Sequence, residues 1–508
     1  MSDELTSSNA AHGQEDYSRK VTKGALILTL SKATSYFIAF ASLLVLARLL
    51  SPDDFGTIAL AMAIVGVAAA LFDVPVTQAL ISIKEPTRND FDTAWTISLI
   101  RATLVATCLC IIAFPLSEFF DSPHIAPVVI VLSAQQILFA LRNPYFERFA
   151  RVLDYSKDAW VEIGSKLAQV AASVAIAFIW KSYWAFVAGM LISAAFGMIA
   201  TYIVSQERPK FSLRSTRHLL SFSVWLALGA LVNKLGDQSS NFIAANGFGR
   251  AVLGQISVGT RLSTEVSQFM LVPIVRSLYS AFSRMASETE RLKRAFLKAQ
   301  ATVFAIVMPI GVGIGLVAEY ILPLLLGDGW AKSILVVQFL APTVGLMVVT
   351  SPTRAIGMAL NRTKLLFYRD LLTLIADLIC LFVGTYYFGF LGFLSAICVG
   401  CFIQVVINLH VLRELIGVTI GEQLMNISRS LASVAAMCAA VVTLETMIPP
   451  VGTPFNAILV TALLATLGAL TYAATHLALW SVNRPDDSIE TFAFQTANKL
   501  LSGMRRSS

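Results

Sequence analysis

The chain has 508 residues, of which 56% are hydrophobic and 14% are charged, and its formal net charge is +7. A soluble domain carries about 25% charged residues and its helices need a polar face, so this composition excludes an ordinary soluble enzyme. Only helices and closed barrels satisfy every backbone polar group in lipid, and barrel strands would alternate polar and apolar residues. The apolar runs here are continuous, as in Ala301–Val317, and therefore predict an all-α membrane protein.

The predicted elements begin after residues 1–23, a polar segment expected to be a disordered cytoplasmic tail. About 20 apolar residues cross a bilayer as a helix, and fourteen apolar windows of suitable length follow this tail. They lie near 24–50, 56–82, 91–115, 125–146, 159–180, 183–205, 218–244, 251–284, 295–322, 333–353, 365–387, 390–412, 427–447 and 455–480. We expect an N-terminal lobe of helices 1–6 (24–217), a C-terminal lobe of helices 7–12 (218–424), helices 13–14 (425–480) and a cytoplasmic C-terminal tail (481–508).

The distribution of lysine and arginine predicts the orientation. Most of the 38 basic residues fall in alternate connections, and cytoplasmic loops are the ones enriched in lysine and arginine. Placing both termini in the cytoplasm leaves only four basic residues on the opposite side, namely Arg48, Lys181, Arg250 and Lys332. The net positive charge is then explained by anionic membrane lipids, and no nucleic-acid partner is needed.

An internal repeat is visible about 200 residues apart. Leu49–Ala63 reads LLSPDDFGTIALAMA and Gly247–Thr260 reads GFGRAVLGQISVGT, so that Phe55-Gly56 corresponds to Leu253-Gly254. A second match pairs Asn143-Pro144 with Ser351-Pro352, each before a basic segment. The repeat predicts two pseudo-symmetric six-helix lobes around a central cavity, which is a transporter architecture.

Charged residues inside the predicted spans are candidates for a functional site, because a charge at membrane depth is costly. Glu162–Lys166, Arg261–Glu265 and Lys234–Asp237 have the spacing of local ion pairs on one helix. Three other cations have no acidic residue one turn away, and all six form the candidate substrate-binding cavity: Lys32, Arg101, Lys166, Lys234, Arg261 and Arg276. Asp73 and Asp377 lack a local basic partner, and burial favours the protonated form of a carboxyl group, so they are candidates for coupling to H+ or Na+.

Three segments resemble the polysaccharide transporter branch of the multidrug/oligosaccharidyl-lipid/polysaccharide exporter superfamily. They are Ala47–Ala61 (ARLLSPDDFGTIALA), Val76–Ile81 and Leu324–Pro342 (LLLGDGWAKSILVVQFLAP), and the resemblance covers residues 20–415. It implies a flippase of the bacterial inner membrane that carries undecaprenyl-diphosphate-linked oligosaccharide by alternating access. The pathways implied are those of O-antigen lipopolysaccharide, capsule or exopolysaccharide, with a polysaccharide polymerase and chain-length proteins as expected partners.

The basic excess in the spans agrees with such a substrate, since arginine and lysine form charge-assisted hydrogen bonds with phosphate. One alternative is an ion-coupled multidrug antiporter of the same superfamily, whose cavity would favour acidic and aromatic residues. Another is a polytopic polysaccharide polymerase or ligase, although the predicted external loops are short and carry no nucleophile–histidine constellation. A structural scaffold would leave the repeat and the membrane charges unexplained. The sequence predicts no enzyme activity, cofactor or metal site.

Overall fold

Regular structure in the computed structural model is entirely helical within the residues it describes, which are 2–73, 80, 83, 86–151, 155–216, 224–265, 282, 285, 288–350, 352–448 and 453–482. Ten of the described helices are long and apolar enough to cross a membrane. The predicted all-α membrane fold is therefore confirmed. The described residues do not fix the number of spans, so the count of fourteen stays a prediction.

The first compact unit comprises residues 1–254. Its helices are α1 (Ser2–Leu49), α2 (Pro52–Leu71), α3 (Arg88–Phe119), α4 (Ile125–Ala140), α5 (Glu147–Arg151), α6 (Tyr155–Trp180), α7 (Trp184–Val204) and α8 (Val224–Phe248), and a 3-10 turn covers Pro144–Phe146. A further helix, α9, covers 250–265, and its first five residues belong to this unit. The strongest packing in the unit is between α6 and α7, α3 and α4, and α1 and α6.

The second compact unit comprises residues 255–508. After the remainder of α9 it contains α10 (Thr289–Leu326), α11 (Ala331–Met347), α12 (Thr353–Ala359), α13 (Thr363–Ile416), α14 (Ile420–Glu445) and α15 (Pro454–Val482), with a 3-10 turn at Val348–Thr350. Here α10 packs on α11, and the two C-terminal helices α14 and α15 pack on each other and on α10.

Local sequence signals explain several helix boundaries. Ser51 caps α2 in a capping box with Asp54, and Thr419 caps α14 in the same way with Glu422, so that free N–H groups of the first turn are bonded. The stretch α13 consists of two helices that meet at Gly389, whose φ of +61° is a conformation that favours glycine. These two helices, which we call the first and second arms of α13, correspond to the predicted spans 365–387 and 390–412.

The N-terminal tail corrects a prediction. Residues 1–23 are predicted to be disordered, whereas α1 already begins at Ser2. Extending an existing helix adds one hydrogen bond for each residue fixed, while starting a new helix is costly. The apolar helix that follows thus supplies the nucleus on which the polar segment continues.

Candidate functional site

Lys32 on α1 forms an ion pair between helices. Its Nζ lies 2.7 Å from Oε1 of Glu162 on α6, and the two side chains are 32% and 29% exposed. The spacing in the sequence allows Glu162 to pair with Lys166 on its own helix, but its partner in the structure comes from 130 residues away. Lys166 instead donates to Oε1 of Gln169 at 3.3 Å. The packing of α1 on α6 therefore overrides the local i,i+4 pair.

Arg101 on α3 forms a second ion pair, with Asp73 just after the end of α2. The sequence predicts both residues as site candidates, one for substrate and one for the coupling ion, and the structure joins them. Their side chains are 33% and 44% exposed, so the pair is not enclosed by the protein.

The Lys234 side chain on α8 packs against α2 at Gly66. A Cβ atom at Gly66 would lie 2.9 Å from the Lys234 Cε and 3.6 Å from its Nζ. The absence of a side chain at Gly66 therefore makes room for the lysine stem. Lys32, Lys166, Arg101 and Lys234 all belong to the first unit.

In the second unit, Arg261 has Glu265 as its charged neighbour one turn along α9. Asp377 lies on the first arm of α13 against Gly400 on the second arm, where a Cβ would meet its carboxylate. Within the described part of the chain, no hydrogen bond or ion pair reaches the Asp377 carboxylate. The sixth candidate cation, Arg276, lies outside the described residues.

The two matching glycines of the predicted repeat, Gly56 and Gly254, lie in contact within the first unit. A Cβ at Gly56 would lie 2.6 Å from the carbonyl carbon of Arg250 and closer still to its oxygen. A Cβ at Gly254 would lie 2.8 Å from the Gly56 nitrogen and closer still to the carbonyl oxygen of Pro52. Each glycine thus contacts the residue one turn before the other glycine, which gives a reciprocal crossing of the starts of α2 and α9. We call this crossing the glycine contact.

Polar groups surround the glycine contact. The Arg250 Nε lies 3.5 Å from Oδ1 of Asp53, and Arg250 Nη1 donates to Oγ of Ser122 at 3.1 Å. Asp54 Oδ1 accepts a hydrogen bond of 2.8 Å from the backbone N–H of Tyr183. Sequence reasoning found the matching glycines but did not predict that they touch.

Sequence reasoning also missed a buried carboxylate in each unit. Asp92 is 4% exposed and accepts hydrogen bonds from the Tyr145 hydroxyl at 2.8 Å and from the Lys210 backbone at 3.0 Å. In the second unit, the Asp370 side chain is 3% exposed and pairs with Arg369 and, at 3.6 Å, with Arg354. The available signal was their position inside the predicted spans 91–115 and 365–387, because a carboxylate that is buried there is almost never left unpaired.

Metal binding has no support in the part of the chain that the structure describes, where no three His, Cys, Asp or Glu residues are grouped as metal ligands. Two of the candidate cations in the apolar helices, Lys32 and Arg101, instead form ion pairs with carboxylates.

The long apolar helices define the class of the protein, a polytopic helical membrane protein. The fold is similar to that of the lipid II flippase MurJ in an inward closed conformation, with a TM-score of 0.66 at 14% identity over 91% of this chain and 100% of that one. It is also similar to an inward-facing multidrug transporter of the MATE family, with a TM-score of 0.56 at 14% identity over 80% and 99% of the two chains.

The chain belongs to the polysaccharide biosynthesis protein family, whose model matches residues 45–335. One relative is the lipopolysaccharide biosynthesis protein WzxC of Escherichia coli, 24% identical over 68% of this chain and 72% of WzxC. Another is the succinoglycan biosynthesis transport protein ExoT of Rhizobium meliloti, 25% identical over 70% of this chain and 73% of ExoT. The sequence-based resemblance to the polysaccharide transporter branch is thereby confirmed.

Proposed function

We propose that this protein translocates polyprenyl-diphosphate-linked oligosaccharide units across the bacterial inner membrane, with both termini in the cytoplasm. Its relatives are named for lipopolysaccharide and succinoglycan biosynthesis, and its fold resembles that of a lipid II flippase. The observation that carries the proposal is the set of half-exposed cations within apolar helices, above all Arg101 and Lys32. A lipid diphosphate needs such groups, because its charge cannot enter hydrocarbon unaccompanied.

In the proposed mechanism, the diphosphate competes with the carboxylates for their cations. In the structure Arg101 is held by Asp73, and Lys32 by Glu162. A guanidinium binds phosphate oxygens through two parallel hydrogen bonds, so an incoming diphosphate replaces the carboxylate at Arg101 without leaving a bare charge. Lys166, Lys234, Arg261 and Arg276 are the further cations of the proposed cavity. The hydrocarbon tail stays in the bilayer while the head group crosses.

Energy coupling follows from the carboxylates in this proposal. Asp73 loses its cation when substrate binds, and a lone carboxylate at membrane depth takes up a proton or Na+ to neutralise its charge. Asp377 has a comparable environment, since it faces the backbone of Gly400 rather than a cation. If Asp377 couples transport to an ion gradient, Asp377→Asn will respond to an imposed gradient differently from Asp377→Glu. Equal transport by the unchanged protein and both variants would exclude that role.

A second candidate is an ion-coupled multidrug antiporter, because the fold also resembles multidrug transporters. Cationic drugs would require acidic groups free to bind them. Asp377 could meet that need, but Asp73 and Glu162 are already neutralised by basic residues. Overexpression separates the two candidates. Raised resistance to cationic drugs, with normal polysaccharide after gene deletion, would favour the antiporter.

The test of the proposed function is Arg101→Ala in a strain without the chromosomal gene. We expect loss of surface polysaccharide and accumulation of lipid-linked oligosaccharide at unchanged protein level. Arg291→Ala is the matched control, because the Arg291 side chain is 63% exposed at the start of α10. The double variant Arg101→Ala/Asp73→Asn removes the charge left behind by the single change. Restored polysaccharide in the double variant would show that Arg101 only neutralises Asp73 and would refute its role in phosphate binding.

A further inference from the structure

Residues 208–216 follow α7 and read RPKFSLRST, with three basic residues and no acidic one. We call this segment the strap. Its backbone is non-helical up to Leu213. It combines basic and apolar side chains in a short stretch outside the predicted spans, a composition typical of segments that lie at a membrane surface.

The backbone of the strap is hydrogen-bonded to side chains at the start of α3. The Lys210 N–H donates to Oδ1 of Asp92 at 3.0 Å, and the Ser212 N–H donates to Oγ1 of Thr96 at 3.0 Å. The Ser215 N–H donates to Oγ1 of Thr93 at 3.3 Å. All three acceptor residues are at most 5% exposed, so the helix supplies buried, fixed anchors. The strap is thus held in one conformation by its backbone.

Apolar side chains of the strap are exposed while its backbone is bonded to α3. Phe211 is 74% exposed and Leu213 is 56% exposed, and both flanking cations, Lys210 and Arg214, are exposed. The Phe211 ring lies beside the Trp95 ring, with ring centroids 5.0 Å apart. Two large apolar side chains and two cations are therefore exposed within one short segment of the first unit.

The depth of the strap in the bilayer follows from its backbone and its side chains together. A non-helical backbone facing lipid is excluded from the hydrocarbon core, where its N–H and C=O groups would lack partners. An exposed phenylalanine and leucine are equally unfavourable in open water. The boundary between head groups and acyl chains satisfies both requirements, and basic residues at that depth meet the phosphates of anionic lipids.

We propose that the strap is a docking surface for anionic phospholipids, in which Phe211 and Leu213 insert among the acyl chains and Lys210 and Arg214 bind the phosphate head groups. The role of Asp92, Thr93 and Thr96 is to hold the strap in register for that contact. The surface concerns bulk lipid and not the transported substrate. It is independent of the proposed transport activity.

A spin label tests the insertion directly. Leu213→Cys is introduced into full-length protein whose six native cysteines are replaced, and the labelled protein is placed in nanodiscs of phosphatidylcholine with phosphatidylglycerol. Phe382, which is 65% exposed within α13, gives the matched label in lipid, and Asp328, in the turn after α10, gives the label in water. We expect the label at position 213 to collide more with oxygen than with a nickel complex, at a depth of about 5–10 Å.

Charge removal tests the lipid partner. Lys210→Gln/Arg214→Gln should lower the phosphatidylglycerol that is retained through purification on the order of fivefold per cation. The control Arg291→Gln/Arg294→Gln, at two exposed positions on α10, should retain the original amount. A label at position 213 that matches the Asp328 label, or that is shielded from oxygen and nickel alike, would overturn the proposal. So would equal lipid retention by both double variants. Because nanodiscs expose both membrane faces, neither result depends on transport or on orientation.

Discussion

Replacing Gly56 with alanine tests whether the glycine contact opens during transport. The new Cβ would stand 2.6 Å from the Arg250 carbonyl carbon, whereas ordinary van der Waals contacts begin at 3.4 Å. The starts of α2 and α9 must therefore separate by more than about 0.8 Å, because the Arg250 carbonyl oxygen lies closer still than its carbon. Both atoms belong to the backbone, which cannot rotate away. Overpacking of this kind costs about 1–3 kcal/mol.

That cost falls only on a state in which the contact is formed. If the protein also visits a state in which it is broken, the population of the open state rises by roughly 5- to 150-fold. Gly254→Ala should have a similar effect, because its Cβ would meet the Gly56 nitrogen and the Pro52 carbonyl oxygen in the same reciprocal manner.

The assay is the reactivity of a buried reporter beside the contact. Thr57 is 0% exposed, so a cysteine at position 57, in protein without the native cysteines, reacts with a maleimide only when the contact opens. Its modification rate should rise by the same factor in both glycine variants. Gly421→Ala is the control, since a Cβ at Gly421 meets nothing within 4 Å. An unchanged rate in folded Gly56→Ala and Gly254→Ala proteins would refute the reasoning.

Three further predictions concern single groups. Burial, together with the hydrogen bond to Asp92, raises the pKa of Tyr145 to about 12. Because the folded protein holds this proton more tightly than the unfolded chain, the free energy of unfolding should fall by about 2 kcal/mol as the pH rises from about 10 to about 12. Tyr145→Phe, compared by thermal unfolding, should lack this loss. Gly389→Ala should lower stability by about 1–2 kcal/mol because of its positive φ, whereas an unchanged midpoint would mean that the bend adapts. Gly400→Ala should displace the Asp377 carboxylate and reduce ion-driven transport in vesicles, and normal transport would argue against Asp377 as the coupling site.

The membrane character of the chain was predictable, because each span requires only a continuous apolar run, which is a local property. Capping residues such as Ser51 and Thr419 are local signals as well, and both cap their helices in the structure. The six candidate cations were also visible in the sequence, since a charge in an apolar run is conspicuous wherever the helix lies.

The partners of those charges were decided only by the tertiary structure. Glu162 has a lysine at the favourable i,i+4 position, yet it pairs with Lys32 from another helix, and Arg101 pairs with Asp73 across the connection between α2 and α3. Helix spacing constrains neighbours on one helix, whereas neighbours between helices depend on how each helix is rotated and packed, which hydropathy does not encode. The same reason applies to the glycine contact. The sequence alone showed that the segments around Gly56 and Gly254 match, whereas only the crossing of α2 and α9 brought the two glycines into contact.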